Sequence, residues 1–275
     1  MNINKWMFLL AFFWLSACAE TDKERCKKII DEVTAKKVDR IIRSELIPLS
    51  GEKHGELINR ISFSLLGTPY QENTLIGDSD TTEALVANFN NVDCFTFIDY
   101  VEALARSHDQ KSFIHSLARV RYIGGTVDYL SRRHFFSDWF ASAPYNGRDV
   151  TPFISPDYKV ADKQLNEKPG GGEYINGLGI HHRKINYIPG SSINQKILDG
   201  LKTGDYVGVY SALEGLDVSH VGIVIRHDGQ VWFRNASSLA MNRKVVDVPF
   251  LEYMRPKPGI IVISSELPDY SAFVR

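Results

Sequence analysis

Three side chains in this sequence have the chemistry of a nucleophile, a base and a group that orients the base, and they occur in the order Cys94, His220, Asn235. A thiolate attacks carbonyl carbon. An imidazole within hydrogen-bond reach takes and returns its proton, and a third polar side chain fixes which ring nitrogen does so. Cys94 stands near the start of Asn90-Asn91-Val92-Asp93-Cys94-Phe95-Thr96-Phe97-Ile98-Asp99-Tyr100-Val101-Glu102-Ala103-Leu104-Ala105-Arg106. Inward-capable residues recur there at 94, 97, 98, 101, 104 and 105, the rhythm of a half-buried helix. With Asn91 or Asp93 as N-cap, the sulfur falls in the first turn, where unpaired N–H groups and the helix dipole favour negative charge. The sequence thus predicts a thiol more acidic than the ~8.5 of free cysteine. Taken alone, Cys94 fits a buried structural cysteine as well; a suitable base is what favours chemistry.

That base is His220, in Asp217-Val218-Ser219-His220-Val221-Gly222-Ile223-Val224-Ile225, whose alternating apolar residues read as a strand. Asp228-Gly229 is a hairpin signal, and a second strand follows at 231–235. Pairing the two brings His220 and Asn235 towards the same end of the hairpin. A lone strand histidine is more often a satisfied core or surface residue; the ordered trio is the more specific signal.

The elements that must position this trio are legible in outline. A charged helical pattern runs over 22–45 with Ile29, Ile30, Val33, Val38, Ile41 and Ile42 as its apolar positions. Ser50-Gly51-Glu52 opens a second helix that Gly67 and Pro69 close, and a further helix is expected over 110–120. Short strands at 206–210, 218–225, 231–234, 244–248 and 259–263 complete an α+β domain with helices on one side of an antiparallel sheet. Nucleophile and base stand 220 − 94 = 126 residues apart. Residues 122–194 are rich in Gly and Pro without a long periodic run and read as an insertion that builds the substrate pocket. Within it, Arg132, Arg133 and His134 are candidates for holding a carboxylate, and Tyr129, Phe135 or Trp139 for facing a sugar ring. A solvated basic turn beside an aromatic mini-core fits these residues equally. The run Pro169-Gly170-Gly171-Gly172 lacks the Lys-Ser or Lys-Thr of a phosphate loop. His181-His182 has no further ligand at metal spacing, so no metal and no cofactor are expected.

Leu65-Leu66-Gly67-Thr68-Pro69-Tyr70, Asp93-Cys94-Phe95-Thr96-Phe97, Gly204-Asp205-Tyr206-Val207, Ser219-His220-Val221-Gly222-Ile223 and Asn235-Ala236-Ser237-Ser238 occur in the order of the NlpC-type papain-like cell-wall cysteine hydrolases. The segment Tyr129-Leu130-Ser131-Arg132-Arg133-His134-Phe135-Phe136-Ser137-Asp138-Trp139 resembles one carried by their N-acetylmuramoyl-L-alanine amidase-like branch. Phe95-Thr96 departs from the Ser-Gly that follows the nucleophile in the wider group, in agreement with that branch. Asn235 stands where many relatives have a second His and matches the papain solution. The resemblance implies a papain-like core, cleavage of peptidoglycan fragments between N-acetylmuramic acid and L-alanine, and an oxyanion or pocket role for Tyr70. It also implies substrate contacts beside the nucleophile and the base, at Asp93 and Ser219. The main alternative on the same fold is a D-glutamyl-diamino acid endopeptidase, which Asp93 before the nucleophile keeps open; another is an inactive cell-wall-binding lipoprotein.

Composition narrows the partners. With 44% hydrophobic and 24% charged residues the chain is ordinary for a globular protein, and a net charge of −1 gives no field that recommends nucleic acid. Residues 1–18 read as a secretory signal, with Lys5 ahead of an apolar run too short to span a bilayer comfortably. Leu15-Ser16-Ala17-Cys18 resembles a bacterial lipobox, which implies lipidation at Cys18 and a membrane anchor; Ala19 resembles lipoproteins sent to the outer membrane, facing the periplasm. Residues 19–49 then form a tether or accessory helix, and 50–275 the catalytic domain. A Cys26–Cys94 disulfide would abolish the nucleophile and is not expected.

Overall fold

The computed structural model describes residues 27–46 and 53–266. The signal at 1–18, Cys18, Cys26 and the helix opening at 50–52 lie outside the described residues. The helices are α1 (Glu32–Ile41), α2 (His54–Phe63), α3 (Cys94–Ala105), α4 (Gln110–Arg121), α5 (Asp138–Ala141), α6 (Thr151–Ile154), α7 (Gln195–Gly200) and α8 (Phe250–Met254). The strands are β1 (Lys28–Ile30), β2 (Leu85–Ala87), β3 (Arg148–Asp149), β4 (Lys159–Leu165), β5 (His181–Tyr187), β6 (Tyr206–Tyr210), β7 (Val218–His227), β8 (Gln230–Ala236), β9 (Val245–Pro249) and β10 (Ile260–Ser264).

One six-stranded sheet, ordered β3-β10-β6-β7-β8-β9 and antiparallel throughout, forms the frame. Its central hairpin closes as the sequence predicts. Asp228 and Gly229 both adopt positive φ, 52° and 71°, the pair of conformations a tight I′ turn requires. The sequence expects helices on one side of the sheet, yet both faces are covered. Tyr206, Ile223, Ile225 and Ile261 pack with residues of α2, α3 and α4, while Val207, Val224, Phe233 and Ile260 pack with residues of α7 and α8. The physical reason was present in β6 and β10, which are apolar at successive positions rather than alternating, as a strand buried on both faces must be.

Two further departures have local causes. The helical pattern expected from residue 22 is broken at Asp31, whose carboxylate accepts from the Thr34 N–H at 2.7 Å and caps α1. The β-branched pair before it, Ile29-Ile30, joins β2 as a parallel strand instead. In the middle region, β4 and β5 pair antiparallel over seven residues, from Lys159 opposite Tyr187 to Leu165 opposite His181. The run Lys159-Val160-Ala161-Asp162-Lys163-Gln164-Leu165 is too polar to announce itself as a strand; only Lys163 and Leu165 are fully buried.

Candidate active site

Cys94 is the first residue of α3, and Asp93 is its N-cap. Thr96 N–H donates to Asp93 Oδ1 at 2.7 Å while the Asp93 N–H donates to Thr96 Oγ1 at 2.9 Å, a closed capping box. The Thr that replaces the usual Gly therefore completes the helix start that presents the sulfur. Cys94 is a free thiol that receives backbone N–H groups of Val221, of Phe95 and of its own residue. Burial nevertheless pushes its pKa up to about 12, with the Asp93 carboxylate adding to the rise and the three N–H groups opposing it. The sequence expects an acidified thiol; desolvation of a thiolate outweighs what a helix terminus returns. At rest the sulfur is protonated.

His220 and Asn235 come together through strand register. Arg234 pairs with Ile223, so Asn235 lies opposite Gly222 and shares a sheet face with His220, two residues away. His220 Nε2 and Asn235 Oδ1 are 2.9 Å apart. Asn235 is 1% exposed, and its Nδ2 donates to the Phe233 carbonyl, which fixes the amide with Oδ1 towards the ring. An amide oxygen only accepts, so Nε2 carries the proton and Nδ1 is the basic nitrogen. Gly222 makes this packing feasible. A Cβ there would sit 2.5 Å from the Arg234 carbonyl oxygen and 2.6 Å from the Phe233 ring, the ring that meets the imidazole edge-on at 6.0 Å. Burial lowers the His220 pKa; the Asn235 bond opposes this, Lys257 adds to the lowering, and Asp93 opposes it. The imidazole is therefore neutral at neutral pH, the state of a base.

Cys94 and His220 are neighbours: the Val221 N–H, one residue from His220, reaches the sulfur. Tyr253, in α8, links them from the other side. Its ring lies 6.4 Å from His220, and its phenol pKa is raised by burial and by the charge of Cys94. Sequence reasoning missed Tyr253, because nothing in Phe250-Leu251-Glu252-Tyr253-Met254 distinguishes a site residue from a packing one.

Tyr70 also stands at the nucleophile. Its N–H donates to the Arg243 carbonyl, and residues 69–71 bond with Val92, which leads directly into the cap of α3. Burial, then Cys94 and Asp93, raise its pKa, so the phenol keeps its proton and remains a donor. Arg243, not singled out from the sequence, holds its guanidinium 4.8 Å over the Tyr70 ring from a backbone at φ 45°. Ser219 is exposed and turned from His220 by the strand alternation, its hydroxyl 3.5 Å from the Val209 carbonyl.

Arg133 lines a small cavity with Asp93 and Phe95, on either side of Cys94, while Trp139 lies in the core. Arg133 is 2% exposed, and its guanidinium donates to the carbonyls of Val120, Asp138, Ser142 and Pro144, fastening the loop around α5. Trp139 is fully buried against Phe136 and Tyr206, so it faces no sugar. His134 bonds the Tyr129 carbonyl, and Arg132 is paired with Glu83 at 2.6 Å. Side chains expected to meet substrate here are engaged within the fold, and sequence has no signal that separates a buried guanidinium cage from a binding arginine.

A crystal structure of a protein from Legionella pneumophila superposes with a TM-score of 0.71 at 21% identity, over 84% of this chain and 94% of that one. A crystal structure of an N-acetylmuramoyl-L-alanine amidase from Bacteroides uniformis superposes with a TM-score of 0.63 at 26% identity, over 77% of this chain and 98% of that one. No curated protein matches the sequence. The family described as AmiA-like, N-acetylmuramoyl-L-alanine amidase-like, matches residues 60–260, which hold Tyr70, Cys94, His220 and Asn235. The chain belongs to that family.

Proposed function

We propose that the protein is a cysteine amidase with an NlpC-type papain-like core that cleaves the amide between the lactyl group of N-acetylmuramic acid and L-alanine. The observation that carries this reading is the oriented imidazole, Nε2 on Asn235 at 2.9 Å, one residue from the N–H that meets the Cys94 sulfur. Because thiol and imidazole are both neutral at rest, His220 Nδ1 takes the Cys94 proton as the sulfur attacks the carbonyl, forming the C–S bond. Tyr70 O–H and the Cys94 backbone N–H then meet the oxyanion, where each such donor contributes ~3 kcal/mol. His220 delivers the proton to the departing L-alanine nitrogen as the C–N bond breaks, and water hydrolyses the thioester.

Family membership and the amidase name of the Bacteroides uniformis neighbour support the substrate class, muropeptides. The envelope location follows from the sequence reading of residues 1–18: lipidation at Cys18, with the domain anchored at the outer membrane and facing the periplasm, residues 19–49 as the tether and 122–194 as an insertion. The competing endopeptidase reading rests on Asp93, whose Oδ1 is already occupied by the helix cap. Mass spectrometry of a digested disaccharide-tetrapeptide separates the two. Release of intact tetrapeptide, abolished in Cys94→Ala, is the expected result; release of a dipeptide contradicts it.

A further inference from the structure

The turn that follows α8, Arg255-Pro256-Lys257-Pro258, holds one cation beside the base. Proline on either side of Lys257 fixes φ at both flanks and restricts the backbone of the lysine between them. The Lys257 N–H donates to the Met254 carbonyl at 3.0 Å. Gly190 packs so closely against the same turn that a Cβ there would overlap the Lys257 and Met254 carbonyl oxygens. From this rigid mount the Lys257 Nζ stands 4.8 Å over the Tyr253 ring, and that ring lies 6.4 Å from His220. The ammonium is close enough to be felt at the base: burial, and then this charge, lower the His220 pKa.

The lysine has no acid to pair with. Among the described residues its side chain makes no hydrogen bond and no ion pair, and its Nζ is not among the buried polar atoms sealed without a partner, so its three donors face solvent. Arg243, the other cation at the site, is placed differently. It lies over Tyr70, whose charged neighbours include the carboxylates of Asp93 and Glu72. A half-buried ammonium steadied over a ring, with no carboxylate of its own, is suited to take one from a ligand.

The side of the scissile bond on which Lys257 stands narrows the ligand group. His220 delivers its proton to the departing nitrogen, so the leaving peptide lies on the imidazole's side, which is also the side of Tyr253 and Lys257. In a muropeptide that peptide is L-alanine followed by a D-glutamate that continues through its side-chain carboxyl and keeps its α-carboxylate. The carboxylate carbon is five bonds from the departing nitrogen, roughly 6 Å in extended peptide. A hydrogen bond of ~3 Å from His220, that length of peptide and an ion pair of ~3 Å together span the two steps from imidazole to ring and from ring to ammonium. The disaccharide offers no competing anion, because its one carboxyl group is the acyl part of the amide being cut.

We propose that Lys257 binds the α-carboxylate of the second stem residue, D-glutamate, as an ion pair, with the Tyr253 ring supporting the ammonium. The assignment rests on the muropeptide reading above and adds to it a preference for stems whose glutamate α-carboxylate is free over stems in which it is amidated.

The test uses binding rather than turnover. Cys94→Ala protein is titrated by calorimetry with a disaccharide-tetrapeptide and with its counterpart whose glutamate α-carboxylate is a carboxamide. The carboxylate ligand is expected to bind about tenfold more tightly, the scale of one charge-assisted hydrogen bond, with a preference that shrinks as salt is added. Adding Lys257→Met, which keeps a straight side chain over the ring and removes the charge, is expected to bring the two affinities within about twofold. The thermal transition is followed in parallel, and Lys257→Gln is read in the same way if Lys257→Met does not fold. Equal affinities in Cys94→Ala overturn the assignment, as does a preference that survives neutralisation of Lys257 in a folded protein. Binding of neither ligand overturns it together with the substrate class. Failure of the wild-type protein to hydrolyse a ligand that binds with the expected Lys257-dependent preference overturns the amidase reading and leaves the carboxylate site standing.

Discussion

Cys94, partly buried, and Glu102, fully buried, sit two turns apart on α3, and their acidities move in opposite directions. At Cys94 burial wins and the pKa rises to about 12. At Glu102, which is 0% exposed, burial also works to raise the pKa, but Arg106, His54 and Tyr206 outweigh it and bring it to about 2. The carboxylate accepts from Arg106 Nε at 2.6 Å and from Tyr206 O–H at 2.8 Å, with His54 Nε2 at 3.2 Å, so α2, α3 and β6 meet on one charge. The helix head offers the sulfur only backbone N–H groups and an adjacent carboxylate. Burial alone therefore does not decide ionisation; the number and charge of partners does. The first turn of the helix holds a protonated thiol, and its last turn holds a carboxylate that stays charged at neutral pH.

The largest effect that sharpens this contrast is in thiol reactivity. A pKa near 12 leaves little thiolate at pH 7, partly compensated by greater intrinsic nucleophilicity, so iodoacetamide should modify Cys94 about a hundredfold more slowly than a free cysteine. The rate should climb with each pH unit up to pH 10 without levelling. A plateau below pH 8 would mean that the helix terminus, not burial, sets the acidity.

At the other site, Glu102→Ala should cost roughly 3 kcal/mol in urea unfolding, because buried Tyr206 and its cationic partners lose their acceptor. The pH dependence follows from the two directions. Glu102 is more acidic folded than unfolded, so its contribution is present above about 4.5 and is lost as pH falls towards about 2. His54 has a raised pKa, although burial opposes the rise, so its contribution is full below 6.5 and is lost as pH rises through the folded value. Stability from this cluster should peak between those limits and flatten in Glu102→Ala. The smallest effect belongs to the cap. Thr96→Val opens the capping box and should cost about 1 kcal/mol, with a loss of activity if the cap aims the sulfur.

Much of the geometry of the candidate site was legible in the sequence because its parts obey local rules. Asp93 before Cys94 is a cap signal, Asp228-Gly229 is a turn signal, and period-2 alternation fixes which strand residues share a face with His220. What escaped depended on tertiary partners. The acidity of Cys94 is set by how far the fold buries it, and the partners that hold Arg133 and Trp139 within the fold come from segments no local pattern announces. The ribbon of β4 and β5 has too polar a pattern to be read, and the double covering of the sheet was visible in the unbroken apolar run of β10 but not read as such. Tyr253 is brought to His220 by α8, from a position with no motif.

The central claim is that the Cys94 sulfur becomes covalently joined to the lactyl carbonyl of its substrate. Acid-quenched wild-type protein, caught during turnover of a disaccharide-tetrapeptide and analysed by intact-protein and peptide mass spectrometry, should carry the disaccharide acyl group on Cys94, and His220→Ala protein should carry none. Turnover with no adduct on Cys94, or an adduct of the disaccharide extended by L-alanyl-D-glutamate, would contradict the account.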